Sequence, residues 1–386
     1  MRILTYFFSI AISTIMLIGC QAVNHERDYL INIREIPPKM KEAATISSTL
    51  NSYRFVKLET TEESIMSDVW KIIKYNNKFY ISTFFNNKFF VFDNNGKFIT
   101  KMFSVGSGPG EYISLQDFDV IGNIIVILDG KQVKLYTNDK EMKFIKSIDL
   151  DFMPWNIKCI SETKFCIYAS KQDDVFYIID NNGKILNSGF PANQATRILK
   201  ARPFTKIDNE NFIVKYGLSN DLVCYNNSHN RFYNLTIFPK GFIIDAEQDD
   251  EYTKRYADGY LSHLTILTAD DINSTTNKLL VPVYNGIDYK TCYVADSNSG
   301  DILHFINGNT KDDITYRNNI LVVLYCNNAV SDDSFISYIS PYTILETILE
   351  NNSHKGEANY DRLVEEFGNG KLKENDNPVL VELKFK

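Results

Sequence analysis

Apolar positions along this chain fall into short runs separated by turn residues, and the runs recur in pairs. The clearest copies are Phe89-Phe90-Val91-Phe92-Asp93-Asn94-Asn95-Gly96-Lys97 and Phe176-Tyr177-Ile178-Ile179-Asp180-Asn181-Asn182-Gly183-Lys184. Each reads as a strand ending in Asp-Asn-Asn-Gly, whose Asn-Gly readily takes the positive φ of a hairpin turn. Tyr293-Val294-Ala295-Asp296-Ser297-Asn298-Ser299-Gly300 repeats the device with one extra residue, and weaker copies end at Asn138 and Asn226. The turn positions Asp93, Asn138, Asp180, Asn226 and Asp296 stand 45, 42, 46 and 70 residues apart. Another apolar run precedes each: Phe79 to Ile81, Ile124 to Leu128, Phe165 to Tyr168, Phe212 to Val214 and Leu279 to Val281.

Each unit therefore reads as strands and turns with no helix between. That is the four-stranded meander of a β-propeller blade, whose usual period is about 40–50 residues. A helical solenoid would place apolar residues every three or four positions, and a parallel α/β fold would need a crossover helix for each strand pair. The long step exceeds the period by about 25 residues. They lie around the charged stretch Asp245 to Ala257, free of Gly and Pro until Gly259, which predicts a helix inserted between units four and five. A sixth unit begins near Ile320 to Tyr325 and continues through Ser334 to Ile339.

Ser340-Pro341 then forms an N-cap with proline at the first helical position, opening a helix from Tyr342 to about Leu349. A second helix is predicted over Glu357 to Phe367, stopping at Gly368, and Pro378 to Phe385 reads as a final strand. A ring of blades has to close, because an open blade leaves unpaired strand edges. Arg54 to Glu59 precedes the first unit and is the natural closing strand, paired with the C-terminal one. The expectation is an all-β, six-bladed β-propeller over residues 53–386, with a helical insertion between blades 4 and 5 and a short helical segment near the C-terminus.

The N-terminus carries a different signal. Arg2 is followed by an apolar run from Ile3 to Ile18, ending in Leu17-Ile18-Gly19-Cys20. Positive n-region and apolar h-region make residues 1–19 a secretory signal. The ending resembles the bacterial lipobox, in which a small residue precedes the lipidated cysteine. That resemblance makes Cys20 the lipidation site and the first mature residue. Several acyl chains would hold it firmly, since each buried CH₂ contributes ~0.8 kcal/mol. Residues 20–52 read as a tether and lead-in, polar at first, with Pro37-Pro38 barring a continuous helix. The expected address is the cell envelope, lipid-anchored at the outer membrane, with either face open.

Charge and cysteine content narrow the partners. Forty-one Lys and Arg against 48 Asp and Glu give a net charge of −7, so no excess of cations exists to displace phosphate counterions and nucleic acid is excluded as a partner. The other cysteines, Cys159, Cys166, Cys224, Cys292 and Cys326, are odd in number and form no Cys-x-x-Cys. They read as buried thiols, with a cross-strand Cys159–Cys166 disulfide about a turn at Ser161-Glu162-Thr163 as the alternative.

Three pieces carry a family resemblance: Phe55-Val56-Lys57-Leu58-Glu59-Thr60-Thr61, Gly106-Ser107-Gly108-Pro109-Gly110-Glu111-Tyr112 and Asn377-Pro378-Val379-Leu380-Val381. With the repeat, they make the chain resemble the six-bladed β-propeller lipoproteins of Bacteroidetes, related in shape to NHL-repeat propellers, from about Tyr53 to Lys386. The resemblance implies the fold and an envelope location, and no agreed catalytic chemistry.

Candidate chemistry is sparse. The loop holding Gly106, Gly108, Gly110, Glu111 and Tyr112 is glycine-rich, but Walker loops need Lys-Ser/Thr after the last glycine and dinucleotide loops open a helix. Glu111 would repel phosphate there. The loop reads as a tight blade-to-blade crossing, with Glu111 accepting backbone N–H bonds, or as the border of a ligand-binding channel mouth. Asp117 and Asp119 share one face of a strand, with Asp129 one strand later, an arrangement open to weak Ca²⁺ binding or to ordinary hydrogen bonding. His25, His229, His263, His304 and His354 are scattered, so no metal site is expected. Arg202, Arg231, Arg255 and Tyr216 fit a binding face or plain surface equally, and Trp70 and Trp155 fit core packing or sugar stacking. The leading function is a monomeric, non-enzymatic module binding a ligand, a glycan or an envelope protein. Its rivals are a lactonase-like hydrolase or lyase with channel Ca²⁺, and an accessory subunit of a polysaccharide-uptake assembly.

Overall fold

The computed structural model describes residues 43–169, 173–191, 204–206, 211–214, 221–236, 267–269, 273–275, 277–285, 289–316, 329–330, 333–350 and 352–386. Among them the strands pair into six antiparallel sheets. The first three are regular meanders. Blade 1 holds β2 (Lys71–Tyr75), β3 (Lys78–Ser82), β4 (Phe89–Asp93) and β5 (Phe98–Met102). Blade 2 holds β6 (Asp117–Ile121), β7 (Ile124–Asp129), β8 (Gln132–Thr137) and β9 (Phe144–Asp149). Blade 3 holds β10 (Asn156–Ser161), β11 (Lys164–Tyr168), β12 (Asp174–Asp180) and β13 (Ile185–Pro191). Blade 4 follows with β14 (Phe204–Lys206), β15 (Asn211–Val214), β16 (Asp221–Asn226) and β17 (Arg231–Thr236). Blade 5 comprises β18 (Leu267–Ala269), β19 (Asn273–Ser274), β20 (Lys278–Asn285), β21 (Tyr289–Asp296) and β22 (Ile302–Ile306).

The last sheet joins the two ends of the chain. β23 (Ala329–Val330), β24 (Phe335–Ile339) and β25 (Val379–Phe385) are completed by β1 (Leu50–Lys57), which pairs with β25 from Leu50↔Phe385 to Lys57↔Val379. The chain is a β-propeller closed by its first strand. The predicted closing strand overlaps β1 from Arg54 to Lys57 and runs two residues past its end, and β1 begins at Leu50, three residues before the expected lead-in boundary. Residues upstream are fastened too: Ala43 donates to the Phe305 carbonyl at 3.0 Å, and Ile46 to that of Lys311 at 3.0 Å.

The repeated Asp-Asn-Asn-Gly turns behave alike. Asp93 Oδ1 accepts from the amides of Asn95 and Lys97 at 2.8 and 2.9 Å, and Asp180 Oδ1 from those of Asn182 and Lys184 at 2.8 and 3.0 Å. Gly96 sits at φ +83°, where a Cβ would strike the Lys57 carbonyl at the end of β1. The turn therefore seats the next blade against the closing strand, and only glycine allows that approach.

Two of the three family-like segments meet at the closure. Asn377 is buried, its Nδ2 donates to the carbonyls of Glu59 and Ser64 at 2.8 and 2.9 Å, and its Oδ1 accepts from the Met66 amide at 3.0 Å. Between β24 and β25 lie α1 (Pro341–Glu350) and α2 (Ala358–Phe367), close to the predicted helices. The Ser340 hydroxyl accepts the Thr343 amide at 3.2 Å, the expected cap. Ile344, Leu363 and Phe367 pack into one cluster with Leu280, Val294, Val379, Val381 and Leu383, so the helices cover blades 5 and 6. The Glu357 carboxyl, hydrogen-bonded by His354 and then by Lys311, is held at about 2.

Cys159, Cys166, Cys224 and Cys292 are buried thiols outside any disulfide. No Cys159–Cys166 bond forms, because Cys159 stands opposite Phe165 and Cys166 opposite Lys158, so the two thiols alternate to opposite faces of the hairpin. The insertion expected around residues 245–257, the strand from Ile320 to Tyr325, Cys326 and residues 1–42 lie outside the described residues, as do Arg202, Tyr216, Arg255 and His263. Among the described residues no helix is long and apolar enough to cross a membrane.

Candidate loop face and inner-strand carboxylates

First strands of neighbouring sheets lie side by side at the centre: β6 against β2 and β10, β2 against β23, and β14 against β19. Asp117 and Asp119 stand on β6, each 2% exposed. Asp117 Oδ2 accepts the Ile157 amide at 2.9 Å, and Asp119 Oδ2 accepts the Cys159 amide at 2.7 Å. Both donors belong to β10, the first strand of the next blade. The other oxygen of each carboxylate is engaged as well. Lys71 Nζ of β2 lies 2.7 Å from Asp117 Oδ1, Lys158 Nζ lies 3.0 Å from Asp119 Oδ2, and the Val120 amide donates to Asp119 Oδ1 at 3.0 Å.

These carboxylates thus tie blades 1, 2 and 3 together. Burial opposes the charge on Lys158, yet the neighbouring Asp119 carboxylate holds its ammonium above the ordinary lysine range. Burial, and then the Asp119 charge, push the Cys159 thiol well up, so it is no nucleophile. A like tie closes the ring on the other side, where Glu382 of β25 pairs with Arg54 and, at 2.6 Å, with Lys74 of β2.

Asp129 is placed differently from its two neighbours. Its Oδ1 accepts the Ile113 and Ser114 amides at 3.1 and 2.9 Å, and its Oδ2 sits 3.1 Å from Lys134 Nζ. It braces the glycine-rich loop and does not join Asp117 and Asp119. Among the described residues no three His, Cys, Asp or Glu side chains gather as a metal-ligand set.

The glycine-rich loop is a folded crossing. The Glu111 carboxylate turns back over Gly106 and accepts the Gly108 amide at 2.8 Å. A side chain at residue 106 would occupy the carboxylate's place. Gly110 has φ +79°, and its carbonyl accepts the Tyr136 hydroxyl at 3.2 Å. Tyr112 is buried, its hydroxyl donates to the Asn87 carbonyl at 2.7 Å, and burial pushes its phenol up. Lys134 donates to the Glu111 carbonyl from below.

This loop is one part of a larger cross-bonded face. Phe84 and Phe85, in the β3–β4 loop, donate their amides to the two oxygens of Asp68 at 3.0 and 3.1 Å. Asn87 Oδ1 accepts the Leu115 amide at 3.1 Å, and Gln116 Nε2 donates to the Pro154 carbonyl at 2.8 Å. Loops of blades 1, 2 and 3 are thereby linked in sequence. They display Phe84, Phe85, Phe103, Val105, Ile113 and Met153, with Phe85 78% and Ile113 67% exposed. Trp70 is partly buried and packs on Phe84 at 5.0 Å, with Phe85 edge-on to Phe84 at 5.3 Å. Trp155, partly buried, packs instead against the cluster that holds Tyr168 and Phe176 between blades 3 and 4. His229 and Arg231 lie exposed in the β16–β17 hairpin, away from this face.

Sequence reasoning singled out Gly106 to Tyr112, Asp117 and Asp119, and missed Lys71, Lys158 and the Phe84-Phe85 tip. The lysines were findable. They occupy first strands one blade apart from the aspartates, and aligning units by their period sets the three strands together.

A family model described as Domain of unknown function (DUF4934) matches residues 29–384. Among solved structures, a protein of Bacteroides fragilis described as exported is 18% identical, with a TM-score of 0.67 over 89% of this chain and 98% of its own. A DUF4221 member from Bacteroides vulgatus is 10% identical, with a TM-score of 0.52 over 87% of this chain and 97% of its own. At these identities the likeness is one of fold. No curated protein matches the chain.

Proposed function

Because the chain belongs to the DUF4934 family, whose description names no activity, we propose from its geometry that it is a β-propeller binding module held at the outer membrane by lipid on Cys20. Its ligand or partner sits on the loop face of blades 1 to 3. One observation carries this reading: those loops are hydrogen-bonded into a fixed platform that turns large apolar side chains outward. Exposed apolar clusters of that kind mark interaction sites, and a preorganised loop loses little entropy on binding. The inner carboxylates, by contrast, are engaged by lysines and amides and belong to the frame. An envelope address agrees with the Leu17-Ile18-Gly19-Cys20 ending and with the exported description of the Bacteroides fragilis protein.

The purified full-length protein is expected to turn over no lactone or aryl ester, with or without added Ca²⁺. Turnover abolished by Asp117→Asn in a protein that still melts cooperatively would replace binding by hydrolysis. For the anchor, Cys20→Ala is expected to move the protein out of the detergent phase in a phase-separation assay. A processed mutant that stayed in that phase would rule out lipid on Cys20 as the attachment.

A further inference from the structure

The loop face gives some account of what it binds. Several of its polar side chains are occupied by bonds within the loops themselves. Asp68 holds the Phe84 and Phe85 amides, Asn86 Nδ2 donates to Ser67 Oγ at 2.9 Å, and Glu111 and Asp129 hold the glycine-rich loop. Sugar recognition needs directional hydrogen bonds beside its stacking surface, and these groups have few left to give. What faces outward is phenyl and aliphatic surface: Phe84, Phe85, Phe103, Val105, Ile113 and Met153.

The charges around that surface lean negative. Glu62, Asp151 and Asp173 are exposed on the β1–β2, β9–β10 and β11–β12 connections, and the whole chain carries −7. Asp151 and Asp173 both act on Tyr177, which stacks on Phe152 at 4.4 Å, so they share one corner of the rim. Of the cations on these loops, Lys101 is paired with Glu63 at 2.7 Å, Lys88 lies over the Phe103 ring at 5.7 Å, and Lys131 is exposed in the β7–β8 turn, so carboxylates still outnumber the exposed ammonium groups. An anionic lipid surface would be repelled by such a rim, whereas cationic side chains would be drawn to it.

Resting on the binding-module reading, we propose that the face between blades 1 and 3 docks a protein partner whose contact surface combines aliphatic or aromatic side chains with lysine or arginine. The Phe84-Phe85 tip is the central anchor, held rigid by Asp68. The acidic rim orients the partner and speeds its approach, and the contact weakens as salt rises.

The test uses full-length protein in detergent against three probes. These are an array of peptides mixing Leu, Phe or Trp with Lys or Arg (with Asp- or Glu-substituted twins), a glycan array, and vesicles containing anionic lipid. The expected result is binding to basic apolar peptides but not to their acidic twins. Binding should fall at least tenfold in Phe84→Ser/Phe85→Ser and hold in the edge-strand control Ile185→Ser/Leu186→Ser. Both pairs are exposed, so both variants should melt like the parent, and the melt is recorded. Equal binding to the acidic twins, or none to either set, overturns the proposal. Indifference to the Phe84/Phe85 change also overturns it. Binding to glycans or vesicles alone would leave a binding module standing and remove this partner class.

Discussion

Deleting residues 378–386 is expected to unfold the whole ring at once. β25 lies between β24 and β1, so its loss strips both neighbours of their hydrogen-bond partner. Val379, Leu380, Val381, Leu383 and Phe385 are each 5% exposed or less. At roughly 1.5–3 kcal/mol for each such side chain, the burial lost is on the order of 10 kcal/mol, as large as the entire stability of an ordinary domain at ~5–15 kcal/mol. Glu382 leaves with the strand, and Arg54 and Lys74 lose their carboxylate. The damage therefore crosses from the last blade into the first.

Trp70 and Trp155 give the readout, since Trp70 stands at the start of blade 1 and Trp155 at the start of blade 3. With Trp70→Phe and Trp155→Phe backgrounds to isolate each signal, both fluorescence transitions should vanish or shift together in the truncated chain. A Trp155 transition at its parental midpoint would mean that the blades melt separately and that closure contributes little.

The fold was legible because its signals are local. Asp93 and Asp180 make the same turn with the same two amides each, and the Ser340 cap and the Arg54 to Glu59 closing strand follow from neighbours in sequence or from the need to leave no edge open. The candidate site was harder because its contacts cross from blade to blade. Asp117 reaches Lys71 and Ile157, 46 and 40 residues away in sequence. Period-two alternation places Asp117 and Asp119 on one face, but it does not say whether that face meets solvent, a cation or the next strand's amides. The exposed pair Phe84-Phe85 is hidden for a related reason. It lies among buried Phe79, Phe89, Phe90 and Phe92, and composition cannot tell a displayed ring from a packed one.

Those inner carboxylates supply the second large effect. Asp117→Ala should cost about 3–5 kcal/mol, the usual penalty for removing one partner of a buried charge pair. Lys71 Nζ would keep the Phe118 carbonyl at 2.7 Å and the Phe118 ring at 5.3 Å but lose its carboxylate, and the Ile157 amide would lose its acceptor. Asp117→Asn should cost less, because an amide oxygen still accepts from Ile157 while the charge is gone. The ion pair and the amide bond can be separated by a double-mutant cycle with Lys71→Met. If the pair is what ties blade 1 to blade 2, Lys71→Met will cost less in the Asp117→Asn background than in the parent, by about 0.5–3 kcal/mol. Denaturant midpoints at constant slope measure each step. The opposite pattern would come from a ligand-facing carboxylate. Asp117→Ala would then melt like the parent, and Ca²⁺ would raise the parental midpoint by binding only the folded chain.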